Sequence, residues 1–320
     1  MTTASVRRAA SLVGFGVVSL LLVLAVRRLD VARVMTELHT GRVGWLALAL
    51  VSYAAILPLW ALQWRILAPK TRDTSFAIMV GVVAMTSSLL NTTALLLGEA
   101  AGVVLLVTRA GLARSAALSV LAMDQLLVGI AKIVVLATAA LTLTLPPWMA
   151  RGVLALVIGV SSLLALTLAA AWRHDAIVTQ WAGRVPERLL AALRNSGRAL
   201  APLRSPSRGS AALAFALLKK CAEVIAILCV QRAFGIELPI ASAVLVLAAL
   251  NLATLVPIVP GNIGVYEAAV AVIYVRLGVP LERAVGLAVV QHACYFVALA
   301  LPGYLWLARF RPSRSTVAAS

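Results

Sequence analysis

The sequence predicts an all-α polytopic integral membrane protein, and three observations carry this prediction. Hydrophobic residues make up 62% of the 320 residues, charged residues 12%, and the mean hydropathy is +1.02, values far outside those of soluble domains. Apolar runs near the roughly 20 residues that a membrane-spanning helix needs recur along the chain. Basic residues sit mainly in the short connections between these runs, where they set the orientation of a membrane protein.

The apolar runs predict about eight crossings, which together form a single transmembrane domain over residues 1–320. The first run follows Arg7 and Arg8, as a secretory signal would. Arg27 and Arg28 come after it in place of a small-residue cleavage site, so we interpret it as a retained anchor. The runs cover residues 11–26, 44–62, 76–97, 115–145, 152–172, 210–231, 240–259 and 284–308.

The net charge of +17 comes mainly from arginine, which supplies 24 of the 28 basic residues. In a membrane protein this charge predicts contact with anionic lipid head groups, and we do not expect nucleic acid as a partner. Segment 173–208 carries seven arginines and an apolar stripe at four-residue spacing. It predicts either an amphipathic interfacial segment on the cytoplasmic leaflet or a solvated basic loop. Since Cys221, Cys229 and Cys294 show no metal-ligand spacing, we expect no disulfide, metal or cofactor.

The segment 251–278 predicts a break inside a membrane-buried element. Its prolines remove backbone donors, and its glycines permit backbone angles that other residues avoid. A membrane tolerates such a break only inside protein or beside a water-filled cavity. The helical run that follows, 265–275, is too short to cross a bilayer alone. We therefore expect a substrate path here. Its expected residues in this segment are Asn251, Pro257, Pro260, Gly261, Gly264, Tyr266 and Glu267, and those from the rest of the chain are Glu99, Asp124, Lys132, Glu223, Gln291 and His292.

The first half of the chain repeats this arrangement around Gly98-Glu99, which predicts two repeat halves, 44–145 and 210–308. If each broken element counts as a crossing, the basic segment and both termini lie in the cytoplasm and the halves are inverted. If each broken element dips in and returns, the basic segment lies outside, against the positive-inside tendency. The residues that correspond between the halves are Glu99 with Glu267, and Asp124-Gln125 with Gln291-His292.

Glu267 has two compatible interpretations. A carboxylate in the first turn of a helix satisfies free backbone N–H groups and offsets the helix dipole. A carboxylate at membrane depth can also belong to a polar path for a lipid head group or a coupling proton. Candidate partners for its charge are Lys132, Lys219 and Lys220, and Glu223 shares a helical face with the last two. Lys219 and Lys220 are also expected to extend their ammonium groups to the membrane interface.

Other residues carry weaker signals for chemistry. His292, beside Gln291, is a lone histidine in an apolar helix, and we expect a hydrogen-bonded packing residue there more often than a catalytic one. Trp60 and other tryptophans lie near predicted span ends, where interfacial tryptophans are typical. The chain has no Walker-type glycine loop and no nucleophile elbow. We therefore do not expect ATP-driven transport by this chain alone.

Residues 257–267, PIVPGNIGVYE, resemble the Pro-x-x-Pro-Gly-Gly-x-Gly-x-x-Glu signature of the flippase-like transmembrane family. That family is the membrane region associated with lysylphosphatidylglycerol synthases. The spacing from Asn91 to Gly98-Glu99 and on to Asp124-Gln125 is similar to it as well, although the family has a Glu-Arg pair at the last position. The resemblance covers residues 10–310. It implies an inner-membrane protein that handles a phospholipid or a polyprenyl-linked intermediate.

Three functions fit these observations. The first is a lipid translocase of the cytoplasmic membrane, in which head groups move through a polar groove while acyl chains stay in lipid. The second is a non-catalytic membrane subunit for a glycosyltransferase or a lipid-modifying synthase. The third is an intramembrane enzyme that transfers a group between lipid-linked substrates, with Asp124, Glu267 or His292 as its acid or base.

Overall fold

The computed structural model describes residues 42–69, 74–93, 95–172, 206–255 and 260–309. The predicted first crossing, nearly all of the basic segment and both chain ends lie outside these residues. Within them the regular structure is helical throughout. The helices are α1 (Val43–Ala54), α2 (Ile56–Leu67), α3 (Phe76–Thr92), α4 (Leu95–Thr108), α5 (Arg114–Thr142), α6 (Pro147–Trp172), α7 (Pro206–Ala233), α8 (Ile240–Ala253), a 3-10 turn (Pro260–Asn262), α9 (Val265–Arg276), α10 (Leu281–Leu299) and α11 (Leu301–Arg309).

The prediction of an all-α polytopic membrane protein is confirmed. Among the described residues, three helical stretches are long and apolar enough to cross a membrane. They are α1 with α2, α5, and α10 with most of α11. Shorter apolar helices include α3, α8 and parts of α4 and α6. The 28-residue α7 is long enough to cross, but Lys219, Lys220 and Glu223 interrupt its apolar surface near the middle.

Two of the long elements are kinked next to a proline. A helical proline lacks its N–H and its ring crowds the carbonyl four residues earlier. Pro58 accordingly lies just after the turn at Ala55 that separates α1 from α2, and Pro302 just after the turn at Ala300 that separates α10 from α11. The hydroxyl of Ser88 donates to the carbonyl of Ala300, which joins the second kink to α3.

Both predicted broken elements consist of two short helices in succession. In the second half, α8 ends at Ala253 and α9 starts at Val265, so the break lies within the predicted segment. In the first half, α3 ends at Thr92 and α4 starts at Leu95. The expected single run 76–97 is therefore wrong, because the helix stops before Gly98-Glu99 and not at it.

Close helix contacts bring the two halves together. Helix α7 packs on α1 and α2, α8 packs on α5, and α3 packs on α11. The last contact is unusually tight: a Cβ atom on Gly303 would lie 2.1 Å from the carbonyl oxygen of Ala84, and one on Gly81 would lie 2.9 Å from the Trp306 ring. Small residues let helix backbones approach in this way in membranes. The 3-10 turn packs on α3. The break in the second half therefore lies close to the helix that precedes the break in the first half.

Candidate functional site

A polar cavity of about 310 Å³ lies between the two halves. Every helix from α1 to α5, the helices α7 to α10 and the 3-10 turn contribute side chains or backbone to its wall. Charged groups inside an apolar helical assembly are costly, so their presence marks the cavity as a functional candidate. Its charged side chains are Glu99, Asp124, Lys132, Lys219, Lys220 and Glu223, with His292 also in the wall.

The first cluster in the cavity joins α2, α5 and α7. Asp124 Oδ2 accepts a hydrogen bond from Trp60 Nε1 at 3.0 Å, and Oδ1 lies 3.6 Å from Lys219 Nζ. The Lys219 ammonium also lies 5.1 Å from the centroid of the Trp60 ring, within the range of a cation–π contact. Both charged side chains are buried. A buried carboxylate is thus held by an indole donor and by an opposite charge.

The second cluster joins α7 to α8. Lys220 Nζ donates to both carboxylate oxygens of Glu223 at 2.9 Å, and to Asn251 Oδ1 at 3.2 Å. The shared helical face predicted for Lys220 and Glu223 is confirmed by this pair. The expectation that Lys219 and Lys220 reach the membrane interface is wrong, because both ammonium groups are held in the cavity by carboxylates.

The third cluster joins α4 to α5. Gln125 Nε2 donates to Glu99 Oε1 at 2.6 Å. Glu99 lies in the second turn of α4, so it does not cap the helix as its counterpart Glu267 does. The glycine before it has a different role: a Cβ atom on Gly98 would lie 2.7 Å from Leu90 Cδ2 and 2.8 Å from Leu90 Cα. Gly98 therefore permits the close contact of α3 with α4.

The fourth cluster is built on the start of α9. Gly264 has φ of 85°, which favours glycine, and its N–H donates to Glu267 Oε2 at 2.6 Å. This contact confirms the first-turn interpretation of Glu267. Its Oε1 lies 2.6 Å from His292 Nδ1. The His292 ring stacks on Tyr266 with centroids 4.1 Å apart, and Gln291 Nε2 donates to the Tyr266 hydroxyl at 2.9 Å.

The predicted partners of Glu267 were therefore wrong. Its contact is with a histidine on α10, while Lys219 and Lys220 pair with other carboxylates. The same kind of contact occurs once in each half: the carboxylate on the short helix meets a side chain on the following long helix, as Glu99 meets Gln125 and Glu267 meets His292. The four residues are ones that correspond between the halves in the sequence, although these contacts were not predicted from it.

The predicted site residues fall into three groups. The cavity wall includes Glu99, Asp124, Lys132, Glu223, Asn251, Gly261, Tyr266 and His292. Three predicted residues lie behind this wall. Gly264 donates to Glu267, Glu267 contacts His292 in the wall, and Gln291 donates to Tyr266 in the wall. Pro260 starts the 3-10 turn. Pro257 lies outside the described residues.

Some wall residues were not predicted as part of the site. Trp60 was expected at the membrane interface, and its indole N–H instead points at Asp124. Asn91, in the last turn of α3, lines the cavity, and its carbonyl oxygen would lie 3.0 Å from a Cβ atom on Gly261. The sequence contains an indication of this role for Asn91, because it is a polar residue near the end of an apolar run.

Within the described parts of the chain, no group of three or more His, Cys, Asp or Glu side chains converges on one point. The three cysteines are free, with Cys221 exposed and Cys229 and Cys294 buried. The described cavity wall offers hydrogen bonding and charge, supplied by carboxylates, ammonium groups, amides and phenols.

Together, the fold and the cavity define a multi-pass helical membrane protein with a polar, charged interior site. A family model described as the lysylphosphatidylglycerol synthase TM region matches residues 11–303. The chain belongs to that family, as its PIVPGNIGVYE segment indicated. No curated protein matches the chain, and no solved structure matches it. Membership places the protein in a lipid-related membrane function.

Proposed function

We propose that the protein is a lipid translocase, which moves the head group of a phospholipid or a polyprenyl-linked intermediate across the cytoplasmic membrane. One observation carries the proposal: a charged cavity lies where two broken helical elements meet inside an apolar assembly. Such a junction is the usual position of a transport site in proteins built from two repeats. The acyl chains of the substrate remain in lipid while its head group enters the cavity.

The polar and charged groups of the wall make the cavity suited to a lipid head group. A lipid head group carries charge and hydrogen-bonding groups that hydrocarbon cannot satisfy. The cavity offers fixed polar partners in place of water, from Glu99 on α4 to Asn251 on α8. Asp124 on α5 pairs with Lys219 on α7, and Lys220 on α7 donates to Asn251 on α8. These contacts also keep the three helices together around the path.

The proposal is tested by reconstitution. The purified chain is placed in vesicles of phosphatidylcholine and phosphatidylglycerol that contain a fluorescent phosphatidylglycerol, and dithionite reports how much probe reaches the outer leaflet. We expect the wild-type chain to accelerate exchange of the fluorescent lipid between the leaflets. The double variant Glu99→Gln/Glu267→Gln should exchange it more slowly than the wild type. Glu237→Gln is the matched control, because Glu237 is exposed and outside the cavity wall. Wild-type exchange in the double variant would remove both carboxylates from the mechanism.

A second candidate function rests on a different observation. The close contact of Glu267 with His292 resembles a carboxylate that orients an imidazole for general base catalysis. It would serve transfer of a group between lipid-linked substrates. Chemical turnover of a lipid by the purified chain, lost in His292→Gln, would favour this candidate over translocation.

We further propose an inner-membrane location with both termini in the cytoplasm, and the two halves as an inverted repeat. Recurrence of the carboxylate contact in both halves is the support for the repeat. A glycosyltransferase or a lipid-modifying synthase remains the proposed partner class, because the substrate would need such an enzyme to produce or consume it. Cysteine accessibility at residue 280 from each side of the membrane tests the orientation.

A further inference from the structure

Among the described residues, three lysines line the cavity, and two of them are paired with carboxylates. Lys219 Nζ lies 3.6 Å from Asp124 Oδ1, and Lys220 Nζ lies 2.9 Å from both oxygens of Glu223. Each of these two positive charges thus has a negative charge at contact distance. They contribute hydrogen bonds to the wall but little net charge.

Lys132 is different. Among the residues that the structure describes, its ammonium has no hydrogen bond and no carboxylate within 4.0 Å. At longer range the charge of Lys220 opposes the Lys132 ammonium, and the charge of Glu223 favours it. Its side chain is partly buried and lies in the cavity wall on α5. Among the described residues of the cavity wall, Lys132 is thus the lysine that has no carboxylate at contact distance.

An unpaired ammonium inside a membrane protein costs several kcal/mol of free energy relative to water. A ligand that brings a negative charge would recover much of that cost. A second donor lies in the same wall: Asn251 Nδ2 is buried and has no hydrogen-bond partner among the described residues. Its Oδ1 is held by Lys220, so this donor lies beside the pair with which Lys132 interacts.

We propose that Lys132 binds the phosphate of the substrate, with the Asn251 amide as a second donor. This inference rests on the proposed translocase function and names the part of the head group that the cavity recognises. Gln125, Val128 and Lys132 occupy one face of α5 and all line the cavity. A rise of 1.5 Å per residue separates Lys132 from Gln125 and its partner Glu99 by about 10 Å. The phosphate and the distal part of a head group thus meet different ends of one cavity.

Binding to the purified full-length chain in detergent tests the proposal with three probes. Dioctanoylphosphatidylglycerol carries a lipid phosphate, inorganic phosphate carries the anion alone, and dioctanoylglycerol carries neither charge nor phosphate. The variants are Lys132→Met, which keeps the length of the side chain, Lys132→Arg, which keeps the charge, and the control Arg151→Met. Arg151 is exposed and is not in the cavity wall.

We expect Lys132→Met to weaken dioctanoylphosphatidylglycerol binding by about tenfold to hundredfold, the range of a charge-assisted hydrogen bond. Lys132→Arg and Arg151→Met should bind it nearly as the wild type does. Lys132→Met should also raise the apparent melting temperature of the chain without lipid, since it removes a partly buried charge that has no carboxylate at contact distance. A residue that served structure alone would lower that temperature when replaced.

The outcomes separate the two sources of phosphate. If inorganic phosphate binds and competes with the lipid in a Lys132-dependent manner, the free anion is sufficient; if only the lipid binds, the site requires the whole head group. Equal lipid binding by wild type and Lys132→Met would overturn the proposal, as would equal binding of dioctanoylglycerol and dioctanoylphosphatidylglycerol. A different result would refute the translocase function and leave the Lys132 proposal standing: the wild-type chain binds the lipid through Lys132 but moves no lipid in vesicles.

Discussion

Neutralising either member of the Asp124–Lys219 pair should destabilise the protein, and neutralising both should restore most of the lost stability. The two side chains are 5% and 7% exposed, and their charges lie 3.6 Å apart. Coulomb's law gives an attraction of about 4 to 5 kcal/mol at that distance with an effective dielectric constant of about 20. Desolvation of both groups offsets much of this attraction, so the intact pair contributes little net stability.

A single substitution is different, because it leaves the other charge buried without a partner. Such a change typically costs about 3 to 5 kcal/mol, whereas replacing both members of a buried pair is often close to neutral. Asp124→Asn keeps an acceptor for the Trp60 indole, and Lys219→Met keeps the length of the side chain. We expect each single variant to lower the apparent melting temperature by about 5 to 10 °C, and the double variant to lower it by much less.

The assay is thermal unfolding of the purified chain in detergent, followed by the amount of protein that remains monodisperse after heating. The control is the double variant Arg151→Gln/Asp124→Asn, since Arg151 is exposed and outside the cavity wall. The effects of these two substitutions on the melting temperature should add. If the effects of Asp124→Asn and Lys219→Met also add, the two charges are not coupled and the described cluster does not hold α5 to α7.

Two further predictions concern packing and helix ends. Gly98→Ala should destabilise the chain by about 1 to 3 kcal/mol, because its Cβ would lie 2.7 Å from Leu90 Cδ2; Gly159→Ala, with nothing within 4 Å, should be neutral or stabilising. Equal melting temperatures for these two variants would show that α3 and α4 are not in close contact. Glu267→Gln should destabilise by about 1 to 3 kcal/mol through weaker acceptance of the Gly264 N–H; an unchanged melting temperature would argue against this helix-end role.

The break in the second half was predictable because its causes are local. Two prolines and two glycines within eight residues limit the backbone wherever the segment lies in the fold. The first-turn role of Glu267 follows from the same local pattern. The first break was misplaced by several residues, since no proline marks it and Gly98 is a contact glycine inside α4.

The charge pairs could not be predicted in the same way. Trp60 and Asp124 are 64 positions apart in the chain, and their contact depends on how α2 and α5 pack. Charge alone allowed Lys219 and Lys220 to reach either the membrane surface or the interior. The packing of α7 against α1, α2, α5 and α8 places both lysines in the cavity. The polar residues were visible in the sequence, whereas their partners required the fold.

The central claim is that the head group passes through the cavity, and a steric plug tests it most directly. Val128 lies in the cavity wall on α5, between Gln125 and Lys132, whereas Val134 is exposed on the same helix. In reconstituted vesicles, Val128→Trp should slow movement of fluorescent phosphatidylglycerol by about tenfold or more, as expected when a bulky ring occupies a confined site, and Val134→Trp should leave it near the wild-type rate. Wild-type movement in Val128→Trp, with the protein folded, would contradict the account.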